Sequence, residues 1–148
     1  MKTRKKNQKM KNFISGILMI TMLFFIASCA TTASFLNSSV VPAATGKVTV
    51  KQDKNENYSV KVQIDDLAAI ERLQMAKDTY VVWLETDKGN AENLGQLVSS
   101  TGFMSNQHTA TLETVTSFKP VRIFVTAENG INVRYPSSDE ILTTDKFN

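Results

Sequence analysis

The 148-residue chain has one cysteine, one histidine, three prolines and six glycines. A single cysteine cannot form an internal disulfide, so a disulfide framework is excluded and the fold must be held by its core. A single histidine excludes a metal site with two or more histidine ligands. So few prolines and glycines argue against a collagen-like or disordered chain. The length leaves room for one domain.

Acidic residues are missing from the first third of the chain. None of the 14 Asp and Glu precedes Asp53, whereas six of the 17 Lys and Arg lie in residues 1–11. The rest of the chain therefore carries 11 basic and 14 acidic residues, a net charge of −3. A mildly acidic domain lacks the basic footprint of a nucleic-acid-binding protein. No nucleic-acid partner is predicted, and the basic charge belongs to the amino-terminal segment.

An uncharged apolar run of 15 residues, 13–27, follows this basic head. As a helix it would measure about 22 Å at roughly 1.5 Å per residue, whereas a membrane-spanning helix needs about 20 residues. A basic head, a short apolar run and a small-residue exit are typical of a secretory signal peptide. The pattern leaves three outcomes open: lipoprotein processing, ordinary signal-peptide cleavage, and retention of the run as an anchor.

The run ends in Ile26, Ala27, Ser28 and Cys29, which resemble the lipobox of bacterial lipoproteins: one aliphatic residue, two small residues and the obligatory cysteine. The resemblance implies that residues 1–28 are a lipoprotein signal peptide. It also implies a diacylglycerol on the Cys29 sulfur and a further acyl group on the new amino terminus. Each buried CH₂ of an acyl chain contributes about 0.8 kcal/mol to membrane binding, so stable anchoring needs more than one chain. We therefore favour lipidation, with the membrane as partner and no other cofactor.

Residues 29–46 carry no charge and are rich in Ala, Ser and Thr. This composition predicts a lipidated, mostly flexible tether. Within it, Phe35-Leu36 and Val40-Val41 are apolar enough to dock on the domain or lie near the lipid. In the lipoprotein family the residue after the cysteine influences sorting, and Ala30 resembles the outer-membrane pattern. The predicted location is the outer membrane, with the domain facing the periplasm.

Residues 47–148 read as the folded domain, because short apolar segments alternate with turn residues and no long helical pattern occurs. Residues 65–77 read as a connection with at most one helical turn. Seven or eight short strands indicate an all-β, immunoglobulin-like antiparallel β-sandwich of about seven strands. The apolar run around Trp83 is the predicted central strand, without the cysteine pair that flanks such a Trp in antibody domains. The predicted strands are 47–52, 58–64, 79–85, 93–98, 108–115, 121–126, 132–135 and 140–144.

Four segments of the domain carry a family resemblance: Tyr80-Val81-Val82-Trp83-Leu84, Leu94-Gly95-Gln96-Leu97, Ala110-Thr111-Leu112 and Val125-Thr126-Ala127-Glu128. Together they resemble the extracytoplasmic C-terminal domain of anti-sigma-K factors. The sigma-binding region and spanning helix of that family have no counterpart in this chain. The resemblance therefore implies the fold and a sensor or partner-binding role, but not sigma sequestration. The whole chain also resembles small lipoproteins of Bacteroidetes-type bacteria.

No catalytic or metal-binding constellation is predicted. If Cys29 carries the lipid, no cysteine nucleophile remains. His108 is predicted to be a solvated surface residue. No G-x-S-x-G elbow accompanies a serine. The acidic pairs Asp65-Asp66 and Asp139-Glu140 lack the spacing of an EF-hand loop. Phe103 and Met104, in a loop, form a candidate partner-binding patch. The alternative is that this pair folds back onto the sandwich.

The predicted function is a non-enzymatic binding module on the cell envelope. A protein partner or an envelope component would be recognised by the loops at one end of the sandwich or by an edge strand. Two alternatives remain open: an accessory sensor in envelope or anti-sigma-type signalling, and a structural spacer.

Overall fold

The computed structural model describes residues 30–73, 77–101 and 108–147. Within these ranges the chain forms nine strands and a single turn of 3-10 helix at Ile70–Arg72. All strand pairs are antiparallel, so the predicted antiparallel all-β fold is confirmed. The strands are β1 Ala30–Ser34, β2 Thr45–Gln52, β3 Tyr58–Asp65, β4 Thr79–Thr86, β5 Ala91–Gln96, β6 Val98–Thr101, β7 His108–Thr116, β8 Pro120–Glu128 and β9 Glu140–Thr143.

The strands form two sheets that face each other as a sandwich. The first sheet has the order β1-β2-β3-β7-β6 and the second has the order β5-β4-β8-β9. The chain therefore changes sheet after β3, after β5 and after β7. The core between the sheets consists mainly of β-branched and leucine side chains. Its fully buried members include Val48, Val60, Val62, Ile64, Val82, Leu84, Ile123 and Val125.

The hairpin of β2 and β3 follows directly from its alternating sequence. Every second residue points between the sheets, and the register pairs Val48 with Val62 and Val50 with Val60. The residues between them, such as Lys61, remain on the solvent side. The predicted strands 47–52 and 58–64 are therefore confirmed, the first longer by two residues and the second by one.

Strand β4 lies in the centre of the second sheet and is buried on both faces. Tyr80, Val82 and Leu84 join the core between the sheets, whereas Val81 and Trp83 form a second apolar cluster with Phe124 on β8. The predicted central strand is confirmed. Trp83 lies on it, but its indole belongs to the outer cluster rather than to the core between the sheets.

Residues 30–46 belong to the folded domain, which contradicts the expected flexible tether. Strand β1 pairs with β2 from Ala30 opposite Lys51 to Ser34 opposite Lys47. The composition does not indicate this strand, because its small and polar side chains are mostly exposed. Backbone hydrogen bonds to β2, rather than apolar burial, hold it in place. The ordered domain therefore includes Ala30 and does not begin at residue 47.

The segment after β1 joins the two sheets along one side of the sandwich. The Phe35 N–H donates to the Gly46 carbonyl of the first sheet at 3.0 Å, and the Leu36 N–H donates to Thr143 of the second at 2.8 Å. The Phe35 ring is buried, and so is Val41, which confirms the expected docking for one residue of each apolar pair. The other members, Leu36 and Val40, are exposed.

The connection from β3 to β4 closes one end of the sandwich. Its only helical element among the described residues is the 3-10 turn, as the sequence predicts. The Tyr80 hydroxyl donates to the Ala68 carbonyl at 2.9 Å, which holds the connection against the core. Burial raises the pKa of Tyr80 to about 12, and the nearby Glu71 carboxylate adds to the shift.

Two strand predictions need correction. The segment 93–98 is not one strand: β5 ends at Gln96, and β6 begins at Val98 in the other sheet and extends to Thr101. Residues 132–135 lie in the loop between β8 and β9 rather than in an edge strand. Pro136 follows them, and a proline cannot donate a ladder hydrogen bond.

Gly46 lies where β2 approaches β3 too closely for a side chain. A Cβ at this position would lie 2.5 Å from the Gln63 carbonyl oxygen and 3.0 Å from Ile64 Cα. We expect Gly46→Ala to lower the free energy of unfolding by about 1–3 kcal/mol, the usual cost of overpacking. Urea unfolding followed by far-UV circular dichroism measures this change.

Gly130→Ala is the matched control, because a Cβ there meets nothing within 4 Å. It should leave stability unchanged or raise it by up to about 1 kcal/mol. Equal stability of the two variants would contradict the close approach at Gly46.

Candidate functional site: a groove at one end of the sandwich

The site residues expected from the sequence all lie outside the described residues. These are the lipobox residues Ile26, Ala27 and Ser28, the lipidation site Cys29, and the candidate patch Phe103 and Met104. The structure therefore gives no geometry for them. It does show a groove that sequence reasoning did not identify.

The groove lies at the end of the sandwich formed by three turns, residues 53–57, 87–90 and 117–119, which we call the groove end. It has two adjoining lobes of about 400 and 570 Å³, each within the size range of ligand sites. Tyr58, Asp87 and Lys119 line both lobes. The first lobe is completed by Glu56, Thr86, Lys88, Asn90, Ser117 and Phe118, and the second by Thr31, Val50, Gln52, Pro120, Val121 and Phe147.

The turn between β2 and β3 is built around Asp53. Its Oδ1 accepts hydrogen bonds from the backbone N–H groups of Asn55 at 2.8 Å and Asn57 at 2.9 Å. The bond from the Asn57 backbone is the largest cause that lowers the pKa of Asp53. Glu56 adopts a φ of 63°, a conformation that a non-glycine residue rarely takes. Asp53 therefore shapes the turn that brings Glu56 to the rim of the groove.

The turn between β4 and β5 is closed by a threonine. Thr86 Oγ1 accepts from the backbone N–H of Lys88 at 3.3 Å and of Asn90 at 3.2 Å. Gly89 has a φ of +77°, which explains why this turn needs glycine. Residues Asp87-Lys88-Gly89-Asn90 thus form the hairpin turn between β4 and β5. It presents exposed carboxylate, ammonium and amide groups at the groove.

Three aromatic side chains line the groove, and two of them, Phe118 and Tyr58, lie in or beside its turns. Phe118, in the turn between β7 and β8, is 46% exposed, and its backbone N–H donates to Thr116 Oγ1 at 3.2 Å. Tyr58 is half-buried, and its hydroxyl accepts from Gln52 Nε2 at 3.1 Å. An exposed ring and an anchored phenol offer flat apolar surface beside polar groups.

The chemistry that this lining supports is binding. Two ammonium groups, Lys88 and Lys119, face two carboxylates, Glu56 and Asp87, so the charges balance. Hydroxyl and amide groups add donors and acceptors for a polar ligand. Among the described residues, no group of three or more His, Cys, Asp and Glu is placed to hold a metal ion.

A second polar cluster lies on the outer face of the second sheet, and its contacts are structural. Arg122 donates to Glu85 at 2.9 Å and to Glu140 at 2.7 Å, and its guanidinium carbon lies 4.8 Å from the Phe124 ring centroid. The hydrogen bond to Glu140 is the largest cause that raises the pKa of Arg122. Glu85 is an ion-pair partner of Arg122. Through these contacts Arg122 on β8 links Glu140 on β9 to Glu85 on β4.

The outer apolar cluster continues into a buried hydrogen-bond chain. Trp83 Nε1 donates to Thr126 Oγ1 at 2.8 Å, and that hydroxyl donates to Glu128 Oε1. The same carboxylate oxygen accepts from the Ser137 backbone N–H at 2.7 Å, in the loop between β8 and β9. Buried polar groups are stable only when partnered in this way. The loop between β8 and β9 is therefore linked to Trp83 by hydrogen bonds that pass through Thr126 and Glu128.

No helix in the described parts of the chain combines the length and apolarity needed to cross a membrane. Comparison with protein-family models, with curated proteins and with solved structures finds no significant match in any of the three. The fold and the groove are therefore interpreted from this chain's own geometry.

The groove could not be predicted from the sequence because its lining comes from three separate turns, from strands β1, β2, β3, β4 and β8, and from Phe147. No single segment carries a motif. One signal was present: Tyr58 and Phe118 are aromatic residues in or next to turns, where polar residues are expected. Which turns meet depends on the strand order, which the sequence pattern does not specify.

Thr126 should matter for stability through its hydroxyl. We expect Thr126→Val to lower the free energy of unfolding by about 1–3 kcal/mol, because the buried Trp83 N–H loses its acceptor and Glu128 loses a donor. Thr126→Ser keeps the hydroxyl and loses one methyl, so it should cost about 0.8 kcal/mol. Urea unfolding of both variants measures the difference. A valine variant as stable as the unmodified protein would refute the role of the hydrogen-bond chain.

Proposed function

We propose that this chain is a cell-envelope lipoprotein whose β-sandwich is a non-enzymatic binding module for an envelope component. The observation that carries the binding role is the groove, with its ligand-sized lobes and its balanced polar and aromatic lining. The lipid anchor is supported by the lipobox pattern that ends at Cys29. The outer membrane, with the domain in the periplasm, is the proposed location because Ala30 follows the cysteine.

We infer further that the sandwich is immunoglobulin-like. Support comes from the strand order: β2-β3-β7-β6 corresponds to strands A-B-E-D, and β5-β4-β8-β9 corresponds to C-F-G with an added strand beside C. Strand β1 is an addition at the edge of the first sheet. Two features depart from antibody domains, namely the missing cysteine pair and the outward position of Trp83.

The anchor is tested with Cys29→Ala expressed in a diderm bacterium. We expect the unmodified protein to fractionate with membranes and to yield an amino-terminal peptide that carries the mass of the acyl chains. Its processing should be blocked by globomycin. Cys29→Ala should lose the lipid mass, because no other cysteine offers a sulfur for acylation. Membrane association of mature Cys29→Ala after alkaline washing would refute lipid anchoring.

The groove is tested by photo-crosslinking in living cells. We expect benzoylphenylalanine in place of Phe118 to form a discrete adduct with an envelope component, identified by mass spectrometry. The same photo-reactive residue in place of Tyr135 is the control, because that side chain is 76% exposed and does not line the groove. Equal adduct yields at the two positions would refute groove binding and favour a structural spacer.

A further inference from the structure

We propose that the groove end of the sandwich rests on the headgroup surface of the bilayer that holds the Cys29 lipid. The envelope component in contact with the groove is then the membrane surface itself. This inference rests on the lipid anchor proposed above. Three observations support it: the start of β1, the charges at the two ends of the sandwich, and the exposed aromatic ring at the groove.

Strand β1 begins at the groove end and leaves no spacer after the lipid. Ala30 pairs with Lys51, two residues before the β2–β3 turn begins at Asp53. Thr31 lines the groove itself. Cys29 precedes Ala30 by one peptide bond, which places their Cα atoms about 3.8 Å apart. A lipid on Cys29 therefore holds this end of the domain within a few ångströms of the headgroups.

The strand is held in place along its length, so it does not act as a free linker. It makes five consecutive pairs with β2, and the next two backbone N–H groups, of Phe35 and Leu36, donate to the two different sheets. Phe35 is 9% exposed and belongs to the core. Detaching β1 as a spacer would break the ladder and withdraw this ring.

The two ends of the sandwich differ in charge. In the β3–β4 connection at the far end, residues 66–73 and 77–80, the exposed acidic groups outnumber the exposed basic ones and Lys77 is half-buried, whereas the groove end exposes equal numbers of both. Anionic phosphates repel an acidic end, and a mixed lysine and carboxylate surface matches headgroups that carry both charges. The exposed far-end charges are Asp66, Glu71, Arg72 and Asp78; those of the groove end are Asp53, Lys54, Glu56, Asp87, Lys88 and Lys119.

Phe118 and Lys119 suit contact with a headgroup layer. The ring of Phe118 is an exposed large apolar side chain on the groove end. Aromatic rings are favoured at the boundary between headgroups and acyl chains, and a neighbouring lysine can keep its ammonium among the phosphates while its methylenes are buried. The headgroup layer is then the partner of the Phe118 ring, which is exposed and does not belong to the core.

A site-directed fluorescence experiment tests the orientation. The lipidated full chain is placed in vesicles of phosphatidylethanolamine and phosphatidylglycerol that contain a headgroup-nitroxide lipid. Lys88→Cys and Lys119→Cys carry the fluorophore at the groove end, and Glu71→Cys carries it at the far end. The diacylglycerol blocks the Cys29 sulfur, so only the new thiol reacts. We expect several-fold stronger quenching at 88 and 119, since strands of eight residues separate the ends by about 25 Å.

A spacer insertion provides the matched control. About ten Gly and Ser residues inserted between Ala30 and Thr31 form a flexible linker and keep Ala30 after the cysteine. This insertion should reduce quenching at 88 and 119 to the level at 71. Equal or stronger quenching at 71 in the protein without the insertion, with the lipid mass present on Cys29, would overturn the orientation and leave the lipoprotein proposal standing. An amino-terminal peptide without lipid mass would overturn both.

Discussion

The fold depends on the burial of β4 from both sides. Val82 and Leu84 pack between the sheets, while Val81 and Trp83 lie in the outer cluster covered by the β8–β9 loop. Each fully buried side chain of this kind contributes about 1.5–3 kcal/mol. A chain with one cysteine has no internal disulfide to supplement this core. The outer cluster thus gives a roughly 120-residue domain a second apolar layer beyond the space between its sheets.

Much of the fold could be predicted because alternation at a period of two is a direct record of burial. The hairpin of β2 and β3 was found in this way, whereas the central strand β4 was found from its continuous apolar run. Strand β1 was missed because an exposed edge strand is held by its backbone, whose hydrogen bonds leave no pattern in side-chain polarity. The face of β4 from which Trp83 projects could not be predicted either, because a strand buried on both faces shows no alternation of apolar and polar residues. The break between β5 and β6 could not be predicted, because it arises where the chain leaves the second sheet and pairs in the first.

The candidate site could not be predicted for a different reason. Sequence motifs detect functional groups that are close along the chain, whereas the groove joins Tyr58 at the start of β3 with Asp87 and Lys119 from two separate turns. Their meeting is a property of strand order. Each turn has its own local chemistry: Asp53 accepts hydrogen bonds from its own turn, and Gly89 supplies a positive φ. The proposed role therefore combines a targeting signal that the sequence carries with a surface that only the fold assembles.

The free edge of β1 has a consequence for how neighbouring copies can meet. Among the described residues, β1 pairs with β2 on one side only, so its other side presents unpaired backbone groups. Antiparallel joining of two such edges requires the strands to run in opposite directions. Copies anchored through Cys29 in one leaflet, as proposed, all direct β1 away from the bilayer. Under the proposed anchoring, antiparallel β1–β1 association within one leaflet is therefore excluded, and the proposed lipid would block this route of aggregation as well as set the location.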